Sequence, residues 1–94
     1  MKKKDLREQI ERSVAPFGAT VVDFSLERKY FGNIVLNIVD RNNNLHKYVL
    51  DRGDIYVGSK LLFAHGKTEA ETYPFYLERF LKCIVNDLSE NKLV

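Results

Sequence analysis

The sequence predicts an α+β fold: a two-layer sandwich in which an antiparallel four-stranded meander carries an N-terminal and a C-terminal helix on one face, in the order α-β-β-β-β-α. Three observations lead there. Between Phe31 and Gly58, apolar and polar residues alternate with the period of two that a sheet with unlike faces requires. Two turn signatures, Arg41-Asn42-Asn43-Asn44 and Asp51-Arg52-Gly53-Asp54, divide that stretch. Apolar residues at helical spacing stand on both sides of it. Short turns between consecutive strands imply antiparallel neighbours, because a parallel pair would need a long crossover.

The first helix is expected over residues 5–15. Asp5 is its N-cap and Glu8 completes a capping box, while Leu6, Ile10, Val14 and Phe17 make one apolar stripe. Pro16 and Gly18 stop it. Strand one covers residues 20–28, with Val22, Phe24 and Leu26 turned one way and Val21, Asp23, Ser25 and Glu27 the other. Residues 28–33 connect to strand two (33–40). There Ile34, Leu36 and Ile38 alternate with Asn33, Val35, Asn37 and Val39. The Asn-rich turn leads to strand three (45–51), and the turn at Gly53 leads to strand four (54–58). Residues 60–64 fit a strand extension equally with a loop folded back on the core, and residues 65–72 read as a polar loop. Pro74 suits the first turn of a last helix, whose apolar face is Leu77, Phe80, Leu81, Ile84, Val85 and Leu88.

Composition narrows the function classes. Ninety-four residues with 45% hydrophobic content describe one domain, 1–94, and not a disordered chain. A formal net charge of +2 does not call for nucleic acid, and much of that excess sits in Lys2, Lys3 and Lys4. With one cysteine, Cys83, neither an internal disulfide nor a cysteine zinc site can form. Charges from Asp5 to Arg12 interrupt any apolar run near the N-terminus, so no signal peptide or membrane span is expected, and a reducing cytoplasm is the expected compartment.

No reacting constellation can be assembled, so no enzyme, cofactor or metal is expected. Asp40 to Asn44 imitates the start of a calcium loop and Asp51 falls at its twelfth position. Leu45, however, stands where that loop needs glycine, and strands flank it instead of helices. His46 and His65 lack a partner at metal spacing, and Cys83 beside the apolar face of the last helix reads as a packed, inert thiol. Arg52-Gly53-Asp54 spells an adhesion tripeptide but reads as a turn with a charged corner. The candidate partner-binding residues are Tyr30 and Phe31 on a connecting loop, Asp51, Arg52 and Asp54 at that corner, and Tyr56 beside it, because interfaces enrich aromatics and arginine. Tyr48, Tyr73 and Tyr76 belong to the same aromatic set, and completing a small core with the hydroxyls at the surface is the commoner use of such residues; for Tyr30 and Phe31 the two readings weigh evenly. The sheet face turned from the helices, with Val21, Val35, Val39 and Val49 among Asp23, Asn37 and Glu27, is less polar than a solvated face needs. β-branched residues simply favour strands; a partner or a second copy of the chain would account for them as well.

Two resemblances add expectations. Tyr48 to Val57, with its Asp51-Arg52-Gly53 turn, followed by the Leu-rich segment Tyr73 to Leu81, resembles a set of small bacterial α+β proteins, some of them grouped with immunity proteins that neutralise a toxin by binding it. This covers about the second half of the chain and implies stoichiometric binding of a protein. Phe17-Gly18 followed by Val21-Val22-Asp23-Phe24 is similar to the opening of the N-terminal domain of bacterial ribosome maturation factors of the P type; the second, barrel-like domain of that family has no counterpart here. That likeness implies an accessory RNA- or ribosome-associated role, with Lys2, Lys3, Lys4, Arg28, Lys29 and Arg41 as the contacting residues. The leading expectation is a non-catalytic protein-binding module of immunity type that occludes a partner's surface.

Overall fold

The structure is a computed structural model and describes residues 3–27, 33–64 and 73–92. Its elements are helix α1 (Lys3–Val14), a short 3-10 turn (Ala15–Phe17), strands β1 (Thr20–Glu27), β2 (Asn33–Val39), β3 (Leu45–Asp51), β4 (Asp54–Val57) and β5 (Lys60–Phe63), and helix α2 (Tyr73–Lys92). The sheet is an antiparallel meander in the order β1-β2-β3-β4-β5. The α+β fold therefore stands as expected, with five strands where four were anticipated.

Both helices lie on the same side. Leu6, Ile10 and Val14 from α1 and Leu77, Phe80, Ile84 and Leu88 from α2 share one core with Phe24, Ile34, Leu36, Ile38, Tyr48, Leu50 and Ile55 from the sheet. Each helix contributes the i, i+3/i+4 stripe that its sequence spells out. Of the last helix's expected face, Leu81 and Val85 are half-buried at its margin. Helix α1 begins two residues before its predicted cap, so Asp5 stands in the first turn, and the capping box with Glu8 is replaced by a carboxylate near the positive end of the helix. Gly18 closes the 3-10 turn at φ 73°, donating its N–H to the Ala15 carbonyl at 2.9 Å. A side chain there would be doubly opposed, since an added Cβ would lie 2.8 Å from Arg41 Nε.

The sequence phase of β1 is corrected at its start. Val21 pairs with Ile38 and Asp23 with Asn37, so Val22 is an extra residue, a β-bulge. Val21 is buried (6% exposed) and Val22 is exposed (52%), the reverse of the simple alternation. The bulge lets Val21, Phe24 and Leu26 all reach the core from one edge strand, and a kinked edge also discourages pairing with another chain.

Strand β5 resolves the ambiguous segment after Gly58. Gly58, at φ 58°, and Ser59 form a two-residue turn between Val57 and Lys60, and Gly58 donates its N–H to the Lys47 carbonyl at 2.8 Å. Phe63 pairs with Ile55, and the Arg79 guanidinium of α2 lies 4.2 Å above its ring, which pins the strand to the helix layer. Among the described residues no helix is long and apolar enough to cross a membrane.

Candidate functional site

The face turned from the helices is the candidate site, and strand register builds it as rows running across the sheet. The central row is Ser25, Val35, Val49, Tyr56 and Leu61, each paired with the next across adjacent strands. Val35, Val49 and Tyr56 are half-buried by one another, and Leu61 at the edge is 49% exposed. On one side runs the polar row Asp23, Asn37 and Lys47, and beyond it Thr20, Val39 and Leu45, the last 65% exposed. On the other side stand Glu27 and Asn33, then Asp51 and Asp54. Period two along each strand thus becomes an apolar strip with polar borders across four strands.

The borders are held by asparagine. Asn37 Nδ2 donates to Asp23 Oδ2 at 3.4 Å, and Asn33 Nδ2 to Asp51 Oδ1 at 3.0 Å. Asn33 Oδ1 also accepts the Arg52 N–H at 3.0 Å, so one amide ties β2 to the turn after β3. In that turn Arg52 (φ 53°) and Gly53 (φ 90°) both have left-handed backbone, the requirement of a tight two-residue hairpin. The predicted charged corner therefore exists, with Asp51 and Arg52 exposed and Asp54 half-buried, and Tyr56 stands next to it on the same face. Val21, assigned to this face from the sequence, belongs to the core instead. Tyr30 and Phe31 lie outside the described residues.

The residues expected to touch RNA do not form one group among those described. Lys4 is exposed on α1, and Arg41 is exposed in the β2–β3 turn, stacked against Gly18. Lys2, Arg28 and Lys29 lie outside the described residues, and Lys3 opens α1.

A second polar constellation, missed in the sequence, sits at the end of the core near the β2–β3 turn. Asp40 Oδ1 accepts the N–H of Asn42 at 2.8 Å and of Asn44 at 2.9 Å, while Asp40 Oδ2 lies 2.8 Å from His46 Nε2. The His46 contact, followed by the backbone N–H of Asn44, holds the Asp40 carboxyl down at about 2. Asn43 supplies the left-handed residue (φ 66°). The loop that imitates a calcium site thus turns both oxygens of its first carboxylate inward on the hairpin itself. His46 stacks on Tyr48 (ring centroids 6.3 Å apart, planes 18° from parallel). Tyr48, fully buried, donates its hydroxyl to Asp87 Oδ2 of α2 at 2.6 Å. Burial first, and then that bond, push the Tyr48 hydroxyl well above the ordinary tyrosine range. The arrangement clamps hairpin to helix. His46 finds its partner six residues back across a turn, a spacing that no metal or helix template tests.

The described residues also line surface hollows. One of about 210 Å³ is lined by Leu62, Cys83, Asn86, Asp87 and Glu90. Burial raises the Cys83 thiol above its usual range and the Arg79 guanidinium offsets this only in part, the opposite of an activated thiolate. Another, about 370 Å³, lies between α1 and β1, where Arg7 and Glu11 face each other at 2.9 Å. Among the described residues no three His, Cys, Asp or Glu side chains gather as a metal site would need.

No protein-family model, no curated protein and no solved structure matches the chain.

Proposed function

We propose that this protein is a small non-catalytic binding module that occludes part of a partner protein's surface with its outer sheet face. One observation carries the reading: an apolar row, Val35, Val49, Tyr56 and Leu61, crosses four strands on the side that neither helix covers. Polar rows border it, which matches the apolar centre and polar rim of protein interfaces. Tyr56 beside Asp51 and Arg52 supplies an aromatic anchor next to a charged corner of the kind that dominates binding energy. The face is built on paired strands, so little order is lost when it docks. The resemblance of the second half supports a partner of toxin type, bound stoichiometrically.

The test uses Tyr56→Ala and Leu61→Asp. Both side chains stand outside the core, so each variant is expected to stay folded and to lose no more than about 1–2 kcal/mol of unfolding free energy. Each is also expected to lose partners that the parent retains in affinity capture followed by mass spectrometry. Retention of the same partners by both variants would refute the proposal. Capture of RNA instead, with affinity falling steeply as salt is added, would favour the accessory RNA-associated role.

A further inference from the structure

The docking face also specifies the chemistry of its occupant. We infer that it takes a basic partner: a protein segment whose apolar centre is flanked by lysine or arginine. This rests on the reading of the outer face as the docking surface. The chain as a whole is net positive, yet this face is not. Asp23 and Glu27 on β1 and Asp51 and Asp54 at the β3–β4 turn border the apolar row, and they outnumber the bases beside it, Lys47 in the polar row and Arg52 at the corner. Asn37 and Asn33, which bond Asp23 and Asp51, are neutral donors and leave the carboxylate charges in place. Asp23 and Glu27 are each two residues from Ser25, one on either side, so acids frame the row above and below along the β1 edge. A partner that buries the row must bring opposite charge to both borders, because unlike potentials steer encounter and like charges across an interface are costly.

The same layout argues against a second copy as the occupant. In an aligned face-to-face pair with its two-fold axis along the strands, Lys47 and Asp51 of the central strand would each meet their own copy. With the axis across the strands along the apolar row, Lys47 of one copy would meet Asp51 of the other, but Asp23 would meet Glu27, and two faces that both carry more acids than bases still repel each other. Phosphate backbones meet the same carboxylates and are repelled as well.

The experiment selects a displayed library of random peptides against the immobilised full chain. Binders are retained for analysis when they fail on Val49→Gln and on Leu61→Gln, neutral changes that do not themselves sort peptides by charge, the second variant guarding against a folding defect in the first. These face-dependent peptides are expected to be enriched in Lys and Arg over the unselected library, and to associate more slowly as salt is raised. Selection against Asp23→Lys/Asp51→Lys should reverse the enrichment toward Asp and Glu. Face-dependent binders that are neutral or acidic would overturn the basic-partner inference while leaving the docking face intact. A complete lack of face-dependent binders would overturn the docking face itself. A dimer in sedimentation that Leu61→Lys dissociates would overturn the inference in favour of a second copy.

Discussion

Tyr48→Phe removes one hydroxyl from the middle of the core and nothing else, which makes it the sharpest probe of how the helix layer is fastened to the sheet. The ring is fully buried, and Phe fills the same volume, so no cavity term arises. What is lost is a 2.6 Å hydrogen bond to the Asp87 carboxylate, in the range typical of charge-assisted bonds. Such bonds contribute about 1.5–3 kcal/mol. Asp87 is half-buried and borders the hollow beside Cys83, where water can replace the lost donor. The loss at neutral pH should therefore lie in the lower half of that range, about 1.5–2 kcal/mol, by urea unfolding. Because the folded tyrosine titrates well above its unfolded value of about 10, its contribution is complete below pH 10 and shrinks as pH rises beyond it. The slope is about 1.4 kcal/mol per pH unit, so parent and Tyr48→Phe should become equally stable at about pH 11 to 11.5. Contributions common to the two proteins cancel in the difference. Asp87→Ala should cost a similar amount and leave little for Tyr48→Phe to remove in the double variant. A gap that stays constant from pH 8 to about 11.5, or no gap at pH 7, would refute the account.

Two other substitutions test the turns. Gly18→Ala places a Cβ 2.8 Å from Arg41 Nε on backbone at φ 73°, and should lower stability by about 1–2 kcal/mol by thermal or urea unfolding. Adding Arg41→Ala should restore only the part due to crowding, since the backbone strain remains. Asp40→Asn keeps an oxygen for the N–H groups of Asn42 and Asn44 but gives up the charge facing His46. The Asp40 carboxyl is depressed, so its contribution is present above about pH 4 and lost as pH falls toward about 2. The variant should show a flatter acid limb across that window in pH-dependent unfolding, and an unchanged limb would count against the Asp40–His46 contact.

The parts of the fold that follow from local chemistry were legible in the sequence. Period-two alternation from Asn33 to Val39 places Ile34, Leu36 and Ile38 in the core, and the structure buries all three completely. Gly53 and Asn43 mark their turns because few other residues accept left-handed backbone cheaply. Strand β5 was also written in the chain, as Gly58-Ser59 held between Val57 and Lys60 at the spacing of a two-residue hairpin, but Leu61-Leu62-Phe63 lacks alternation and hid it. The bulge at Val22 was not legible. Val21 and Val22 are chemically identical, and only pairing with β2 decides which of them faces α1 and which faces water.

The candidate site divides along the same line. The apolar identities of Val35, Val49 and Tyr56 are local facts, yet their meeting in one row depends on register, and register depends on two turns and a core that fix it together. A slip of one residue between β2 and β3 would break the row and send Leu36 to the surface. The charged corner followed from its turn sequence and the outward set of Asp23 and Glu27 from alternation in β1, whereas their meeting along one border did not, because Asp23 and Asp51 lie 28 positions apart in the chain and are joined through two strand pairings, β1 with β2 and β2 with β3. The Asp40–His46–Tyr48–Asp87 clamp was the least legible of all, since its last bond joins residues 39 positions apart. The polar groups that hold hairpin to helix are gathered at the inner side of β3, so substitutions on the outer side of the same strand leave the fastening untouched.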